Sequence, residues 1–540
     1  MTIREEIGKR ILFFDGGMGT LLQEQGLQAG ELPETWNLKN PEPIIQIHKA
    51  YLAAGADIIL ANTFGANRFK YGEDLEKIVT AGVANAKKAV AESGKKAYVA
   101  LDIGSTGKLL KPMGTLDFEE AVGVFAEIIR VGEKAGADLI LIETMSDTYE
   151  LKAAVLAAKE NSALPIMATV IFDESKKMLT GASPQVVVSL LEGLGVDALG
   201  INCGLGPKQM KEIVKELLKY ASIPVIVNPN AGLPRSENGK TVFDVGAEEF
   251  AEDMEEIVTM GAWFAGGCCG TTPAHIQAMV EKCKEITPVP ITPKNYTFVT
   301  SYSTAVELGG IPVIIGERIN PTGKSKFKQA LRDHNIDYIL EEGVKQEDAG
   351  AHILDVNVGL PEIDEAAMME TIVYELQSIM PIPLQIDTTN MEAMERALRI
   401  YNGKPMINSV NGKAEIMEQV FPLVKKYGGV VVGLALDEDG IPDTTEGRLA
   451  IAEKIYQTGE KYGIIDALVM TMSTNNESAK ITLDTVKEIT ARGGKTVLGV
   501  SNISFGLPQR ELINAAFFTM AMNNGLSAGI INPNAKAMRQ

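Results

Sequence analysis

Three of the four cysteines in this 540-residue sequence stand in glycine-rich segments that could bind a metal ion. Cys203 lies in GINCGLG, and Cys268 and Cys269 are adjacent in GGCCGTTPAH. Three thiolates that leave one position open are the ligand set of a catalytic zinc site, whereas a structural zinc site closes all four positions. The alternative is that these cysteines are buried as small hydrophobic side chains. The glycines favour a metal, because they let the backbone bend so that both neighbouring thiolates reach one ion.

The remaining cysteine and the histidines do not extend this group. Cys283 lies in the run HIQAMVEKCKE and is predicted to be an ordinary helix residue, and His275 is predicted to lie in the first turn of a helix. The four histidines show no ligand spacing. Four cysteines are too few for a disulfide scaffold, which favours a reducing, cytoplasmic environment.

The second half of the chain carries amides and carboxylates, but no cysteine or histidine, where short apolar runs end. These residues are Glu317, Asn320, Asp355, Asn357, Asp387, Asn408, Asp466 and Asn502. Each alone could be a turn residue, because Asp and Asn are common in turns. Together they predict a polar ligand site, suited to a heterocycle with many N–H and C=O groups.

A recurring sequence pattern places these candidate site residues at the ends of predicted strands. A helical stretch ends in glycine, a short apolar strand follows, and a polar or small residue stands seven places after the glycine. The pairs are Gly55 and Asn62, Gly136 and Glu143, Gly195 and Asn202, Gly261 and Cys268, Gly350 and Asn357, Gly494 and Ser501, and Gly525 and Asn532. A helix closed by glycine and followed by a buried strand indicates βα units and a parallel sheet.

Each half of the chain supplies eight strand candidates, which predicts two tandem (β/α)8 (TIM) barrels. The first set lies near residues 11–14, 57–61, 97–101, 138–142, 166–171, 198–201, 225–227 and 263–265. The second set lies near residues 313–315, 353–356, 384–386, 406–407, 430–434, 467–470, 496–500 and 528–531. The rival architecture is an open, doubly wound sheet. Polar residues at nearly every strand end favour closed rings, because all strand ends of a ring share one mouth.

A proline-rich segment separates the two predicted barrels, which span residues 1–287 and 301–540. The linker over 288–300 contains Pro288, Pro290 and Pro293, and prolines this dense favour a stiff, extended chain over a helix. Only NPNAKAMRQ follows the last predicted strand. The closing helix is therefore predicted to be incomplete, and the chain to be a fragment of a longer protein.

Five motifs of the first half together resemble the homocysteine S-methyltransferase family. They are DGGMGT at 15–20, ANTFGAN at 61–67, IET at 142–144, GINC at 200–203 and GGCCGTTPAHI at 266–276. The resemblance implies that Cys203, Cys268 and Cys269 bind Zn²⁺ and that the substrate sulfur takes the open position. It also implies that Asn230 could be the fourth ligand when substrate is absent.

The same resemblance implies that two carboxylates, Asp15 and Glu143, bind the ammonium group of homocysteine. The alternative for these two residues is ordinary hydrogen bonding at the barrel rim. Zinc would remove the proton of the substrate thiol and leave a positioned thiolate, which is the nucleophile. We identify no acid–base triad, and this chemistry requires none.

The second half resembles the pterin-binding family, in particular its methyltetrahydrofolate:corrinoid methyltransferases. The motifs are GERINPTG at 316–323, LDVN at 354–357, the pair Ile386–Asp387 and SNISFGLP at 501–508. The residues that the resemblance implies for binding are Asp387, Asn408, Asp466 and Asn502 around the pterin, Asn320 beside it, and Arg510 reaching the ligand. Many members carry Asp-Pro where this chain has Asp466-Ala467, so the acid is kept and the proline that stiffens the loop is not.

Methyl transfer from methyltetrahydrofolate makes a specific chemical demand. Its N5 is a poor leaving group and must gain a proton or a strong hydrogen bond as the methyl group departs. Asp387 and Asn502 are predicted to support this step as a network. Alternatively, Asp387 is a plain acceptor for the pterin ring.

Taken together in one chain, the two modules resemble the homocysteine- and folate-binding half of the cobalamin-dependent methionine synthase family. That resemblance implies methyl transfer from 5-methyltetrahydrofolate through a corrinoid to zinc-activated homocysteine, giving methionine and tetrahydrofolate. Cobalamin modules carry Asp-x-His-x-x-Gly, which no histidine of this chain fits, so another domain or protein is expected to bind the corrinoid. One alternative is an anaerobic one-carbon methyltransferase that uses another thiol or a separate corrinoid protein. The other is a non-catalytic assembly module that binds zinc and folate.

Composition excludes two other classes of partner. The net charge of −19, with no basic stretch, argues against nucleic acid. No apolar run is long enough to span a bilayer, and the first residues, MTIREEIGKR, lack the apolar core of a signal peptide.

Overall fold

The structure is a computed structural model that describes residues 2–237, 240–461, 467–470 and 478–539. The chain divides into two compact units, Met1–Lys294 and Asn295–Gln540. Asp466, one of the predicted pterin-site residues, lies outside the described residues. No helix in the described ranges combines the length and the apolar character that crossing a membrane requires.

The first unit contains a parallel eight-stranded sheet that curls into a barrel. Its strands and those of a small hairpin are β1 (Leu12–Phe13), β2 (Ile58–Leu60), β3 (Tyr98–Ile103), β4 (Leu139–Met145), β5 (Ile166–Val170), β6 (Ala198–Asn202), β7 (Val225–Asn228), β8 (Arg235–Glu237), β9 (Lys240–Val242) and β10 (Phe264–Ala265). The order around the sheet is β1-β10-β7-β6-β5-β4-β3-β2, and β8 and β9 form the separate antiparallel hairpin. The ring closes between β1 and β2, because Asp57 N donates to Phe13 O at 2.8 Å and Asp15 N donates to Ile58 O at 3.0 Å.

Helices precede, separate and follow the strands of this barrel. They are α1 (Ile3–Glu6), α2 (Gly19–Glu24), α3 (Trp36–Lys39), α4 (Pro41–Ala54), α5 (Arg68–Tyr71), α6 (Leu75–Ser93), α7 (Phe118–Lys134), α8 (Thr148–Asn161), α9 (Pro184–Leu194), α10 (Pro207–Tyr220), α11 (Ala247–Met260) and α12 (Pro273–Cys283). Short 3-10 helices span Pro33–Thr35 and Gly72–Asp74. Gly55 and Gly195 end α4 and α9 in the left-handed conformation, with φ of 109° and 75°, which only glycine adopts without strain. The recurring sequence pattern thus corresponds to the end of a helix followed by a strand.

The second unit is a closed barrel of eight parallel strands, preceded by an antiparallel hairpin. Its strands are β11 (Thr297–Thr300), β12 (Ala305–Leu308), β13 (Val313–Ile319), β14 (Ile353–Val356), β15 (Leu384–Asp387), β16 (Met406–Asn411), β17 (Val430–Leu434), β18 (Ala467–Met470), β19 (Lys495–Gly499) and β20 (Ala528–Ile531). β13 to β20 form the barrel in chain order, and β11 pairs with β12. The predicted pair of TIM barrels is therefore confirmed.

The helices of the second unit lie between these strands and after the last one. They are α13 (Ser325–Arg332), α14 (Ile336–Asp348), α15 (Glu365–Ile379), α16 (Met391–Ile400), α17 (Ala414–Tyr427), α18 (Thr445–Lys461), α19 (Ser478–Ala491), α20 (Arg510–Asn523) and α21 (Lys536–Arg539), with a 3-10 turn at Val500–Ser504.

The predicted linker over 288–300 needs a correction at its C-terminal end. Residues 297–300 form β11, and the division between the units falls after Lys294. Phe298 and Val299 are buried, and Val299 packs with Leu308 in the core of the second barrel. The apolar residues of TFVT therefore make this part of the segment a strand, although the prolines before it favour an extended chain.

Alternate residues of the strands fill each barrel. The interior cluster of the first barrel includes Ala100, Leu141 and Ala198. Because every second residue of a strand faces the same side, these rows continue to Asp102, Glu143 and Asn202 at the carboxyl ends. In the second barrel, Ile315, Ile353 and Met406 lead in the same way to Glu317, Asp355 and Asn408. Each barrel therefore has an apolar core beneath one polar layer.

Candidate functional site

The three predicted metal ligands lie together at the carboxyl end of the first barrel. Cys203 directly follows β6, and Cys268 and Cys269 follow β10 after two glycines. The three Sγ atoms all lie within 4.8 Å of one another, and those of Cys203 and Cys269 are 3.9 Å apart. Among the described residues, this is the one group of His, Cys, Asp or Glu side chains close enough to hold a metal ion. The structure thus brings together thiols that are 65 residues apart in the chain.

Backbone hydrogen bonds fix the loops that carry these thiols. Cys203 N donates to Asn228 O at 3.0 Å, and Cys268 N donates to Pro229 O at 2.8 Å. Cys203 has a left-handed φ of 58°, and Gly204 continues the turn with a φ of 74°. A non-glycine residue in this conformation is strained, and such strain is common at functional sites.

The glycines before the cysteine pair have a different role from the predicted one. A Cβ at Gly266 would lie 2.6 Å from Phe14 Cβ and 2.7 Å from Asn228 Oδ1, and a Cβ at Gly267 would collide with Thr271. Neither glycine has a left-handed φ, whereas Gly270 has a φ of 78°. Gly266 and Gly267 therefore allow close packing beneath the cysteines, and only Gly270 provides the predicted backbone bend.

The mutual hydrogen bonds of the three thiols favour ionisation of one of them and oppose that of the other two. A hydrogen bond from Cys268, and a smaller contribution from Cys269, lower the pKa of Cys203. The contact with Cys203 in turn raises the pKa values of Cys268 and Cys269. A cation would remove this competition, because it stabilises all three thiolates at once. The cluster is thus electrostatically suited to a divalent metal.

Asn230, the predicted fourth ligand, lies beside the thiols. Its side chain is 2% exposed and hydrogen-bonds to Cys203, yet its Oδ1 has no hydrogen-bond partner. A buried amide oxygen without a partner is costly, and a metal ion would satisfy it. The placement is compatible with the predicted role, which stays a prediction.

The two predicted ammonium-binding carboxyls lie in the same barrel mouth. Asp15 Oδ2 accepts a hydrogen bond from Leu60 N at 2.9 Å, and Glu143 Oε2 accepts one from Asn202 Nδ2 at 3.2 Å. Burial raises the pKa of Glu143 to about 8 and raises that of Asp15 well above its usual value. Both carboxyls are therefore shielded from the water that would stabilise their charged forms.

Asn202 connects the carboxyls to the thiols. Its Nδ2 lies 3.2 Å from Glu143 Oε2 and 3.8 Å from Cys268 Sγ, and its Oδ1 accepts from Thr169 Oγ1 at 2.8 Å. The site also contains Asp102, which was not predicted from the sequence. The alternation of side chains along the strand YVALDI could have identified it, because Asp102 faces the same side as the core residues Tyr98 and Ala100.

The predicted site of the second barrel centres on two carboxyls. Asn357 Nδ2 donates to Asp387 Oδ2 at 3.0 Å, and Gln385 Nε2 donates to Asp355 Oδ1 at 2.6 Å. Burial raises the pKa of Asp387 to about 6, while burial and the neighbouring Asp387 raise that of Asp355 well above its usual value. Gln385 was not predicted, although it stands two places before Asp387 on the same strand.

Other predicted residues surround this pair at the strand ends. Glu317 Oε1 accepts from Ser501 Oγ at 3.0 Å, and burial raises the pKa of Glu317. Lys324, which was not predicted from the sequence either, donates to the backbone oxygen of Glu317 at 3.2 Å. Arg510 donates to Ser501 O at 3.0 Å and to Ser504 Oγ at 3.1 Å, so its guanidinium is held within its own loop.

The remaining predicted residues differ in exposure. Asn320 Oδ1 accepts from Thr322 N at 2.9 Å, which is a local turn contact. Asn408 is buried, whereas Asn502 is exposed in the 3-10 turn after β19. His275 lies in the first turn of α12, and Cys283 is buried at its end, as predicted.

The chain belongs to the homocysteine S-methyltransferase family, whose sequence model matches residues 12–283. The model of pterin binding enzymes matches residues 316–532, so both predicted resemblances are confirmed. Over nearly its full length the chain is similar to the methionine synthases of Mycobacterium leprae and Mycobacterium tuberculosis. Each is 31% identical, over 98% and 97% of this chain and 48% of the relative. The chain thus spans about half the length of these relatives.

Solved structures resemble the two halves separately. The metallated homocysteine methyltransferase of Escherichia coli is 25% identical, with a TM-score of 0.44, over 51% of this chain and 96% of that one. A dihydropteroate synthase from Xanthomonas albilineans in complex with 7,8-dihydropteroate is 20% identical, with a TM-score of 0.34, over 42% of this chain and 89% of that one.

Proposed function

We propose that this chain catalyses the two methyl transfers that connect 5-methyltetrahydrofolate, a corrinoid and homocysteine, yielding methionine and tetrahydrofolate. The observation that carries the proposal is the group of three thiols at the mouth of the first barrel. Soft thiolate ligands that leave one position open suit zinc and an incoming sulfur ligand. The similarity to methionine synthases supports the same reaction.

Cys203, Cys268 and Cys269 would hold the zinc ion, and Asn230 would occupy the fourth position until a thiol replaces it. Zinc bound in this way supplies a substrate thiolate at neutral pH, where a free thiol is mostly protonated. The chain itself fixes the direction of the substrate. Asp15 and Glu143 would receive the ammonium group, and Asn202, which contacts both Glu143 and Cys268, would hold that end of the substrate beside the metal.

The second barrel would bind the pterin through the polar layer at its mouth. Asp387, which accepts a hydrogen bond from Asn357, would hydrogen-bond to the ring, and burial raises its pKa to about 6, so that a larger fraction holds a proton than in an exposed carboxyl. That proton, with the amide of Asn502, would stabilise N5 as its methyl group leaves. Asn408, Asp466, Asn320 and Arg510 would complete the binding site.

The corrinoid is proposed to come from another domain or protein. The chain should therefore give no methionine from methyltetrahydrofolate and homocysteine alone. With free reduced cobalamin it should consume methyltetrahydrofolate, and with methylcobalamin and homocysteine it should form methionine. Methionine formed with rigorously no corrinoid present would refute the proposal. Faster reaction of another thiol than of homocysteine would instead favour a different one-carbon methyltransferase.

A further inference from the structure

The mouth of the first barrel holds a third buried carboxyl, that of Asp102 on β3. It stands two residues after Ala100, whose side chain lies in the barrel core, so its own side chain faces the same interior. On the neighbouring strand, Leu141 leads to Glu143 in the same way, and β3 and β4 pair in parallel with Asp102 opposite Leu141. Glu143 lies two residues beyond that register position, and the carboxyl groups of Asp102 and Glu143 share a hydrogen bond.

One oxygen of this carboxyl has no partner. Asp102 is 6% exposed, and its Oδ1 accepts no hydrogen bond. In the part of the chain that the structure describes, none of Asp15, Asp102 and Glu143 forms an ion pair with a basic side chain. Three buried carboxyls without a cation are unfavourable, and a ligand that brings one positive charge would compensate them.

The side chain of Asp102 is not needed to hold its strand in place. The backbone N–H of Asp102 donates to Thr63 Oγ1 at 3.2 Å, and Thr63 Oγ1 donates to Asp102 O at 2.8 Å. These bonds would survive replacement of the carboxyl. The Oδ1 atom of Asp102 is therefore available to a ligand, and the hydrogen-bonded neighbour of Asp102, Glu143, is linked through Asn202 to Cys268.

We propose that Asp102 is a third acceptor for the substrate ammonium group, and that it makes the barrel select aminothiols over thiols that lack an amino group. An ammonium has three N–H donors, and Asp15, Glu143 and Asp102 offer one carboxyl for each. The inference rests on the proposed function, because it requires a thiol bound at the metal beside these carboxyls. Asp102 would act as a specificity-determining residue without contacting the sulfur.

The experiment compares two thiols on the full, zinc-loaded chain. Homocysteine and 4-mercaptobutanoate, which lacks the amino group, are titrated by calorimetry into wild type, Asp102→Asn and Asp138→Asn. Asp138 is a matched control, because its carboxylate lies at the opposite end of the barrel and bonds to Val99 N and Lys87. Asp102→Asn should weaken homocysteine binding by about ten- to a hundredfold, the worth of a hydrogen bond to a charged group. It should leave 4-mercaptobutanoate binding and zinc content unchanged, and Asp138→Asn should alter neither thiol.

The other outcomes overturn the inference in distinguishable ways. Equal losses for both thiols, loss of zinc, or unchanged homocysteine binding in Asp102→Asn would show that Asp102 does not select the amino group. If Asp102→Asn failed to fold, Asp102→Ser would be measured in the same comparison. Wild type that binds neither thiol would refute the proposed function itself, and this inference with it.

Discussion

At the scale of single residues, the first barrel collects groups that are unfavourable without a ligand. The three thiols shift one another's pKa values in opposite directions, the Oδ1 atoms of Asn230 and Asp102 lack partners, and Glu143 is buried. Each of these defects is removed by a cation, either a metal ion or an ammonium group. The sequence indicated the thiols through their glycine-rich context. It did not indicate Asp102, because a carboxylate in a strand is recognised as a site residue only when the side of the sheet that it faces is known.

We predict that one zinc ion binds per chain and that Cys203→Ser abolishes stable binding, because a hydroxyl is a poor zinc ligand at neutral pH. Metal analysis of purified protein after dialysis against a weak chelator measures the loss. Cys283→Ser is the matched control, since Cys283 is a buried helix residue outside the cluster. Full zinc content in Cys203→Ser would mean that the site is elsewhere.

For the second barrel, we predict that Asp387→Asn slows methyl transfer from methyltetrahydrofolate to free cobalamin by about 10²- to 10⁴-fold. Burial raises the pKa of Asp387 to about 6, so the wild-type rate should fall as the pH rises through that value and the proton is lost. The variant, which has no proton to transfer, should lose this pH dependence. Its homocysteine binding should match that of wild type. A pH profile that keeps its shape in the variant would assign the proton to another group.

At the scale of strands and loops, the sequence was most informative. The alternation of apolar residues and the glycine helix ends placed strands in the correct order, and the polar strand ends indicated the two mouths. Close packing could not be predicted, since it depends on residues that meet only in the fold. Gly266 approaches Phe14 and Asn228, which are about 250 and 40 residues away in the chain.

We predict that Gly266→Ala destabilises the first unit by about 1–3 kcal/mol and weakens zinc binding, because the added methyl group would displace the loop of Cys268. Gly19→Ala is the control, because a Cβ at Gly19 meets nothing within 4 Å and the residue lies in a helix, where alanine is favoured. Denaturant unfolding and zinc titration of both variants measure the effects. Equal stability of the two variants would show that the loop accommodates a side chain at 266.

At the scale of the whole molecule, the chain is two barrels with separate cores and separate candidate sites. The prolines of the linker were visible in the sequence, but the position where the second unit begins was not. In the sequence, the segment TFVT resembles the end of a linker. In the structure it pairs with β12 and packs on the core of the second barrel. The boundary is therefore a property of tertiary contacts, and it can be tested directly.

We predict that a fragment of residues 295–540 is markedly more stable than a fragment of residues 301–540, which starts at the boundary predicted from sequence. The shorter fragment lacks Phe298 and Val299, whose burial should stabilise the fold by about 1.5–3 kcal/mol each. It also lacks Thr300, whose backbone N–H donates to Lys404 O and whose carbonyl accepts from Tyr401 Oη, both at 2.8 Å. Thermal unfolding should show a melting temperature lower by at least about 6 °C. Replacing Phe298 and Val299 by alanine in the longer fragment should reproduce most of this loss. Coincident melting of the two fragments would mean that β11 is an accessory to the second barrel, and that the stable domain begins where the sequence alone placed it.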